Sequence, residues 1–222
     1  MLENTIKNEQ QRLRVTEIFE SLQGESVSVG LPTIFIRLTG CPLRCGYCDT
    51  SYAFSGGDWM SVDQIIERLE PYNARCITVT GGEPLAQKMC LPLLSRLCDL
   101  GFQVSLETSG SIDLCEVDAR VSRVMDLKTP GSGEVEKNRY ENLSCLNEND
   151  QIKFVICDRT DFDWACKQIA HYQLTECCEV LMSPVHEQLQ PRQLADWVLA
   201  SGLQVRFQLQ LHKLLWGDEA GR

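Results

Sequence analysis

Short β-like runs alternate with amphipathic helical runs along most of this 222-residue chain, and that alternation confines it to βαβ units sharing a parallel sheet. Strands are expected at 33–38, 76–80, 102–107, 121–127, 152–157, 179–182 and 204–208. Helices are expected at 61–69, 85–100, 161–172 and 191–201. The first helix opens on Ser61 as an N-cap and sets Val62, Ile65, Ile66 and Leu69 on one face. Polar, glycine-bearing turns follow three of the strands: Gly81-Gly82-Glu83-Pro84, Thr108-Ser109-Gly110 and Thr129-Pro130-Gly131-Ser132-Gly133. In α/β folds, ligands bind beyond the C-terminal ends of the strands, where these turns lie. The longest stretch without periodicity, 129–150, reads as a loop or short insertion near such a site.

A hydrophobic content of 43% and a charged content of 23% describe a soluble globular chain. No apolar run approaches the ~18 residues needed to cross a bilayer, and the polar N-terminus lacks the apolar core of a signal peptide. A cytoplasmic protein without a membrane partner is expected, with 1–13 as a polar tail and one domain over 14–222. The net charge of −10 argues against a nucleic-acid partner, which needs clustered Lys and Arg. It leaves room for a small anion, since one Arg in a closed pocket binds a carboxylate whatever the net charge. Nine of the twelve cysteines (Cys76, Cys90, Cys98, Cys115, Cys145, Cys157, Cys166, Cys177 and Cys178) are scattered through apolar segments and read as core packing.

The other three are clustered in Cys41-Pro42-Leu43-Arg44-Cys45-Gly46-Tyr47-Cys48, directly after the first strong strand. Thiolates at intervals of four and three can converge on a soft metal centre from a single loop. Structural zinc requires a fourth ligand, and His171, His186 and His212 stand alone while Cys177-Cys178 is an adjacent pair. A ferredoxin cluster also takes four cysteines. Three cysteines bind three irons of a cubane and leave the fourth open to a small molecule. The amino and carboxylate groups of S-adenosylmethionine (SAM) can chelate that iron, placing SAM where an electron from the cluster can cleave its carbon–sulfur bond.

The CxxxCxΦC spacing, with Tyr47 as the aromatic, resembles the signature of the radical SAM superfamily. Thr80-Gly81-Gly82-Glu83-Pro84 resembles its GGEP motif, whose Gly82 backbone and Glu83 would contact the SAM amine. A narrower resemblance surrounds this core. Glu17-Ile18-Phe19-Glu20-Ser21-Leu22-Gln23-Gly24-Glu25, the run Gly30 to Cys41, Cys48-Asp49-Thr50 and Leu106-Glu107-Thr108-Ser109-Gly110 are similar to the 7-carboxy-7-deazaguanine synthase family. The resemblance spans most of the chain and is strongest over 17–50 and 78–110.

That family resemblance implies a partial (β/α) barrel of about six parallel strands, a homodimer, and a [4Fe–4S] cluster, SAM and Mg²⁺ as cofactors. It implies ring contraction of 6-carboxy-5,6,7,8-tetrahydropterin to 7-carboxy-7-deazaguanine with loss of ammonia, fed by an external electron donor of flavodoxin-like type. The cluster would sit on Cys41, Cys45 and Cys48, with Tyr47 beside it. Arg37 suits the substrate carboxylate by bidentate pairing, the alternative being a surface ion pair. Leu22, Gln23 and Gly24 match the pterin-binding segment, where Gln offers donor and acceptor and Gly allows close approach; a simple turn is the alternative. Thr50 matches the Mg²⁺ ligand, although by itself it reads as structural. Thr108 would contact substrate, Gly110 the SAM backbone, Lys128 the SAM carboxylate and Ser183 the SAM ribose.

Two features depart from the family pattern. Asp126-Leu127-Lys128 stands where other members carry Ser-Pro-Lys. Members also often end in Gln-Thr-His-Lys and a terminal Pro that touches substrate. Here the run is Gln210-Leu211-His212-Lys213, continuing to Arg222, so no residue is carried over from that contact. Two other readings remain open at this point. A glycyl-radical-enzyme activase shares the cysteine spacing but fits the flanking segments poorly, and a non-enzymatic Fe–S or zinc module needs only the thiols.

Overall fold

The computed structural model describes residues 11–217 together with 219 and 221. Its frame is one nine-stranded sheet. In chain order the strands are β1 (Arg12–Leu22), β2 (Pro32–Leu38), β3 (Asp58–Ser61), β4 (Cys76–Gly81), β5 (Gln103–Thr108), β6 (Ser122–Asp126), β7 (Gln151–Ile156), β8 (Glu179–Pro184) and β9 (Arg206–Phe207). Across the sheet the order is β3-β1-β2-β4-β5-β6-β7-β8-β9. Every pair from β2 to β9 is parallel, whereas β1 lies antiparallel to both β2 and β3. The sheet does not close, so it is a partial barrel. The helices are α1 (Val62–Glu67), α2 (Cys90–Asp99), α3 (Arg159–Tyr172), α4 (Leu174–Cys177), α5 (Pro191–Ser201) and α6 (Leu211–Trp216). No helix among the described residues is long and apolar enough to cross a membrane.

Period-two alternation along the strands explains both the core and the cavity. Ile34, Ile36 and Leu38 of β2, Ile77 and Val79 of β4, and Val104 and Leu106 of β5 face α1 and α2 in one apolar cluster. Ile152, Phe154 and Ile156 of β7, with Val180 and Met182 of β8, pack on α3 and α5 in a second. The intervening residues point to the opposite, concave face and are largely polar. There Thr78 pairs with Ser105 at 2.8 Å and Thr80 donates to Glu107 at 2.9 Å. Burying these four groups is tolerable because each finds a hydrogen-bond partner.

Three local features differ from the sequence expectation. β1 begins at Arg12 and buries Leu13 completely, inside the expected tail; residues 1–10 of that tail lie outside the described residues. The helix expected over 85–100 starts only at Cys90. Gln87 is extended because its amide holds Arg14 N at 2.7 Å and accepts no helical role, its Nε2 donating to the Arg14 and Thr39 carbonyls at 3.0 Å. Finally, Cys115 and Cys145 are not core residues but form a disulfide near the surface. The Ser61 cap is found as expected, completed into a capping box by Gln64.

At the N-terminal end of the parallel strands, Arg123 and Asp150 form a buried ion pair at 2.6 Å, with side chains 4% and 0% exposed. Asp150 also accepts from the backbone N–H groups of Arg123 and Asn147, both at 2.8 Å. Asp150→Ala would strand a buried guanidinium, and a stability loss of about 3–5 kcal/mol is expected in denaturant unfolding. A loss under 1 kcal/mol would contradict this account of the pair.

Candidate active site

A cavity of about 400 Å³ opens at the C-terminal ends of the parallel strands. Cys41, Cys45 and Cys48 all line it from the loop after β2. That loop is held by main-chain bonds: Cys48 N–H donates to the Cys45 carbonyl, Gly46 N–H to Ser132 and Gly40 N–H to Ala53. Glu83 N–H donates to the Gly40 carbonyl at 2.8 Å and Gly82 N–H to Leu38 at 3.1 Å, joining the Gly81-Gly82-Glu83 turn to the loop. The fit is close enough that a Cβ on Gly82 would run into the Gly40 carbonyl and the Cys41 Cβ.

The three thiols are half-buried and free. Burial pushes the Cys41 and Cys45 thiols above their usual range, with Lys128 opposing in both cases. Among the described residues only Asp113, Cys115 and Cys145 bring three ligand atoms within 4.8 Å of one another, so at least one pair of the loop sulfurs is farther apart than that. A tetrahedral zinc with Zn–S of ~2.3 Å would draw its sulfurs to about 3.8 Å. The wider spacing suits a multinuclear cluster in which each thiolate takes its own iron. The donor set therefore fits a [4Fe–4S] cluster better than the zinc alternative.

Arg37 lines the same cavity from the end of β2. Its Nε donates to Glu17 Oε1 at 2.7 Å across the β1–β2 register, and Tyr52 donates to the same oxygen at 2.8 Å. The guanidinium lies 5.8 Å from the Phe19 ring centroid and 5.9 Å from that of Tyr52. The ion pair raised as an alternative for Arg37 thus exists, through Nε, on a residue that also lines the cavity.

Thr108 and Glu83 are coupled. Thr108 Oγ1 donates to the Glu83 carboxylate at 2.9 and 3.0 Å, and Ser109 donates to it through N–H at 2.8 Å and through Oγ. Glu83 is fully buried and fastens the turn after β4 to the loop after β5. Gly110, at φ +68°, packs against Met125, where a side chain would collide.

Leu22, Gln23 and Gly24 line the cavity where β1 ends. The Gln23 amide is turned inward: Nε2 donates to Thr78 at 3.0 Å and Glu107 at 3.3 Å, and Oε1 accepts from Glu25 N–H. Its side chain shapes the segment instead of presenting a free amide. Gly24 abuts the His212 ring so closely that a Cβ would overlap it. Thr50 lines the cavity with its hydroxyl 3.8 Å from Cys48 Sγ. Tyr47 packs on Val155, Cys157 and Val185, with Lys128 Nζ 5.9 Å from its ring centroid. Glu83, Gly110 and Ser183 do not line the cavity, although Glu83 is bonded to Thr108 and Ser109, which do. Ser183 is fully buried and its hydroxyl has no protein partner.

Beyond the expected Lys128, several cavity residues escape the motif reading. Lys128 Nζ pairs with Asp126 Oδ2 at 2.8 Å, and Lys153 Nζ bridges Glu25 Oε2 at 2.5 Å and Asp126 at 3.7 Å. Burial pushes the Asp126 carboxyl up, but Lys128 and Lys153 more than offset it and hold it below its usual range. Glu107, Asp126 and Lys153 could have been found from strand parity, since each alternates with an apolar core residue. The C-terminal segment also reaches the cavity through Gln210, His212 and Lys213. Leu211 N–H donates to the Gly24 carbonyl at 2.9 Å, and His212 Nε2 lies 3.8 Å from Asp49. Burial raises the Asp49 carboxyl, yet the nearby His212, Lys213 and Lys153 bring it down to about 2.

This fold and cysteine loop define a radical SAM protein, and the model of the Radical SAM superfamily matches residues 35–128. A 7-carboxy-7-deazaguanine synthase of Chlorobaculum tepidum is 44% identical over 211 residues, covering 94% of this chain and 96% of its own length. The chain belongs to the 7-carboxy-7-deazaguanine synthase family. A relative of that name from Koribacter versatilis is 42% identical over 224 residues, covering 93% of this chain and 98% of its own. Among solved structures, QueE from Escherichia coli superposes with a TM-score of 0.76 at 24% identity, covering 95% of this chain and 99% of that one. SuiB of Streptococcus suis, bound to its precursor peptide, matches at 0.56 and 11% identity over 77% of this chain and 46% of that one. These two likenesses concern the fold alone.

Proposed function

We propose that the chain catalyses the radical SAM ring contraction of 6-carboxy-5,6,7,8-tetrahydropterin to 7-carboxy-7-deazaguanine, releasing ammonia, on the route to queuosine and other 7-deazapurines. Family membership supports this reading over a glycyl-radical-enzyme activase. The observation that carries the substrate reading is Arg37, clamped by Glu17 and two aromatic rings in the same cavity as the three cysteines.

When bound, the cluster and SAM supply an electron-driven carbon–sulfur cleavage that yields a hydrogen-abstracting radical. The protein's own part is to bind, orient and exclude water. Cys41, Cys45 and Cys48 would hold the cluster, with Tyr47 packed beside it. Gly82, Glu83, Gly110, Lys128 and Ser183 would form the SAM side, Glu83 acting as the brace that sets the two turns. Leu22, Gln23, Gly24, Arg37 and Thr108 would form the substrate side, with Arg37 pairing end-on with the carboxylate. Thr50 would supply one oxygen to Mg²⁺, the rest coming from substrate and water. An external electron donor of flavodoxin-like type and a homodimer complete the proposal. Val27, Val29 and Leu31, exposed on the β1–β2 connection, offer apolar surface for a second copy.

Removing a charge-assisted bidentate contact costs about 1.5–3 kcal/mol. Arg37→Ala should therefore raise KM for the pterin by about 10²-fold while changing kcat less. Glu17→Gln, which keeps an acceptor for Nε but loses its charge, should raise KM by about tenfold or less. An unchanged KM in Arg37→Ala would remove Arg37 from the substrate site.

A further inference from the structure

The segment between β6 and β7 touches two of the loops that build the cavity, the cysteine loop and the β5–β6 connection. At one end Ser132 accepts from Gly46 N–H at 3.0 Å and Glu134 from Arg44 N–H at 2.5 Å, both in the cysteine loop. Asn138 then grips the Lys128 backbone twice, each bond 2.8 Å. At the other end Asn142, only 1% exposed, donates to the Gly110 and Ile112 carbonyls at 2.8 Å and accepts from Leu114 N–H at 3.1 Å. Three residues further on, Cys145 is joined to Cys115, which lies on the same β5–β6 connection that Asn142 holds.

We propose that Cys115 and Cys145 form a reversible oxidation site that latches the 140–145 segment onto the β5–β6 connection and thereby sets how firmly the loop from Thr108 to Leu114 is held. Their Cα atoms are 5.3 Å apart, inside the ~4.4–6.8 Å that a disulfide spans. Cys115 is exposed and Cys145 half-buried, so small thiols and disulfides reach the pair, as exchange by thiolate attack requires. The contacts of Asn142 involve neither sulfur, which makes the bond an added fastening on a joint that has other ties. Closure is a two-electron oxidation by a low-molecular-weight disulfide. The Cys115 thiolate attacks one sulfur of RSSR and expels a first thiol, and Cys145 attacks the mixed disulfide and expels a second. Two protein thiols and RSSR thus become one protein disulfide and two RSH. Asp113 lies beside the two sulfurs and could complete a metal site with them, but its carboxylate is paired with Arg139 at 2.9 Å.

The test uses cluster-bound protein held without oxygen in glutathione buffers spanning reduced to oxidised, then trapped by alkylation and mapped by mass. Cys115 and Cys145 are expected to pass together from alkylated to linked. Amide exchange over 109–114 and 140–146 should slow by about tenfold in the linked form. The double variant Cys115→Ser/Cys145→Ser should show the faster exchange in every buffer, and Cys98→Ser should behave as the parent. Full alkylation of both cysteines in all buffers would overturn the proposal. So would a link that leaves exchange of the loop unchanged, or one bound zinc per chain that the Cys115→Ser change releases.

Discussion

Cys45→Ala is expected to abolish SAM cleavage. Lys128 and Asp126 both act on the Cys45 thiol, and all three line the cavity. With two thiolates remaining, a cubane would be left with two irons lacking protein ligands, and the loop has no fourth donor at suitable spacing. Iron and sulfide should fall from about four per chain to under one, and release of 5′-deoxyadenosine should drop by more than about 10³-fold. Cys98→Ser, on α2 and half-buried against the core away from the cavity, should retain both. Retention of a full cluster in Cys45→Ala would contradict the ligand assignment.

Gly82→Ala is expected to have the next largest effect, through geometry alone. The new methyl group would occupy the position of the Gly40 carbonyl and press on the Cys41 Cβ. Neither neighbour is free to retreat: the Gly40 carbonyl accepts from Glu83 N–H at 2.8 Å, and Gly82 N–H is bound to the Leu38 carbonyl. Overpacking of this kind costs about 1–3 kcal/mol, and a displacement of ~1 Å at a reacting site can cost about 10²-fold in rate. A folded protein with a lower melting temperature and a turnover reduced by about 10²-fold is expected. Wild-type turnover would show that the turn and the loop move independently.

The parallel strands were legible because each is a short β-branched run bounded by turns, and their alternation assigned one face to the helices. β1 and β3 were not. β1 carries a register shift between Val15 and Glu17 that breaks its period, and β3 has only four residues. Both pair antiparallel at the edge, which the βαβ rhythm does not anticipate. The start of α2 was misplaced because Gln87 is drawn out by contacts with β1 that are remote in sequence.

In the site, the cysteine loop and the glycine turn could be read directly, since spacing along the chain is what makes them work. Side-chain direction could not. Gln23 looked like a substrate contact by type, yet Thr78, Glu107 and Glu25 claim its amide. Glu83 reads as a ligand group from its motif, and the structure adds that its carboxylate braces two turns through Thr108 and Ser109. The Cys115–Cys145 link joins positions 30 residues apart, a pairing that spacing alone does not specify. The C-terminal residues His212 and Gln210 reach the cavity although the run around them departs from the family pattern, because the Leu211 N–H anchors the segment to Gly24.

The central claim is the conversion itself. It is tested most directly by incubating the cluster-loaded protein without oxygen with SAM, dithionite and 6-carboxy-5,6,7,8-tetrahydropterin, and following product mass and ultraviolet absorbance. The account predicts 7-carboxy-7-deazaguanine formed together with ammonia, with none in the absence of SAM. Recovery of unchanged pterin from a protein that still cleaves SAM would contradict it.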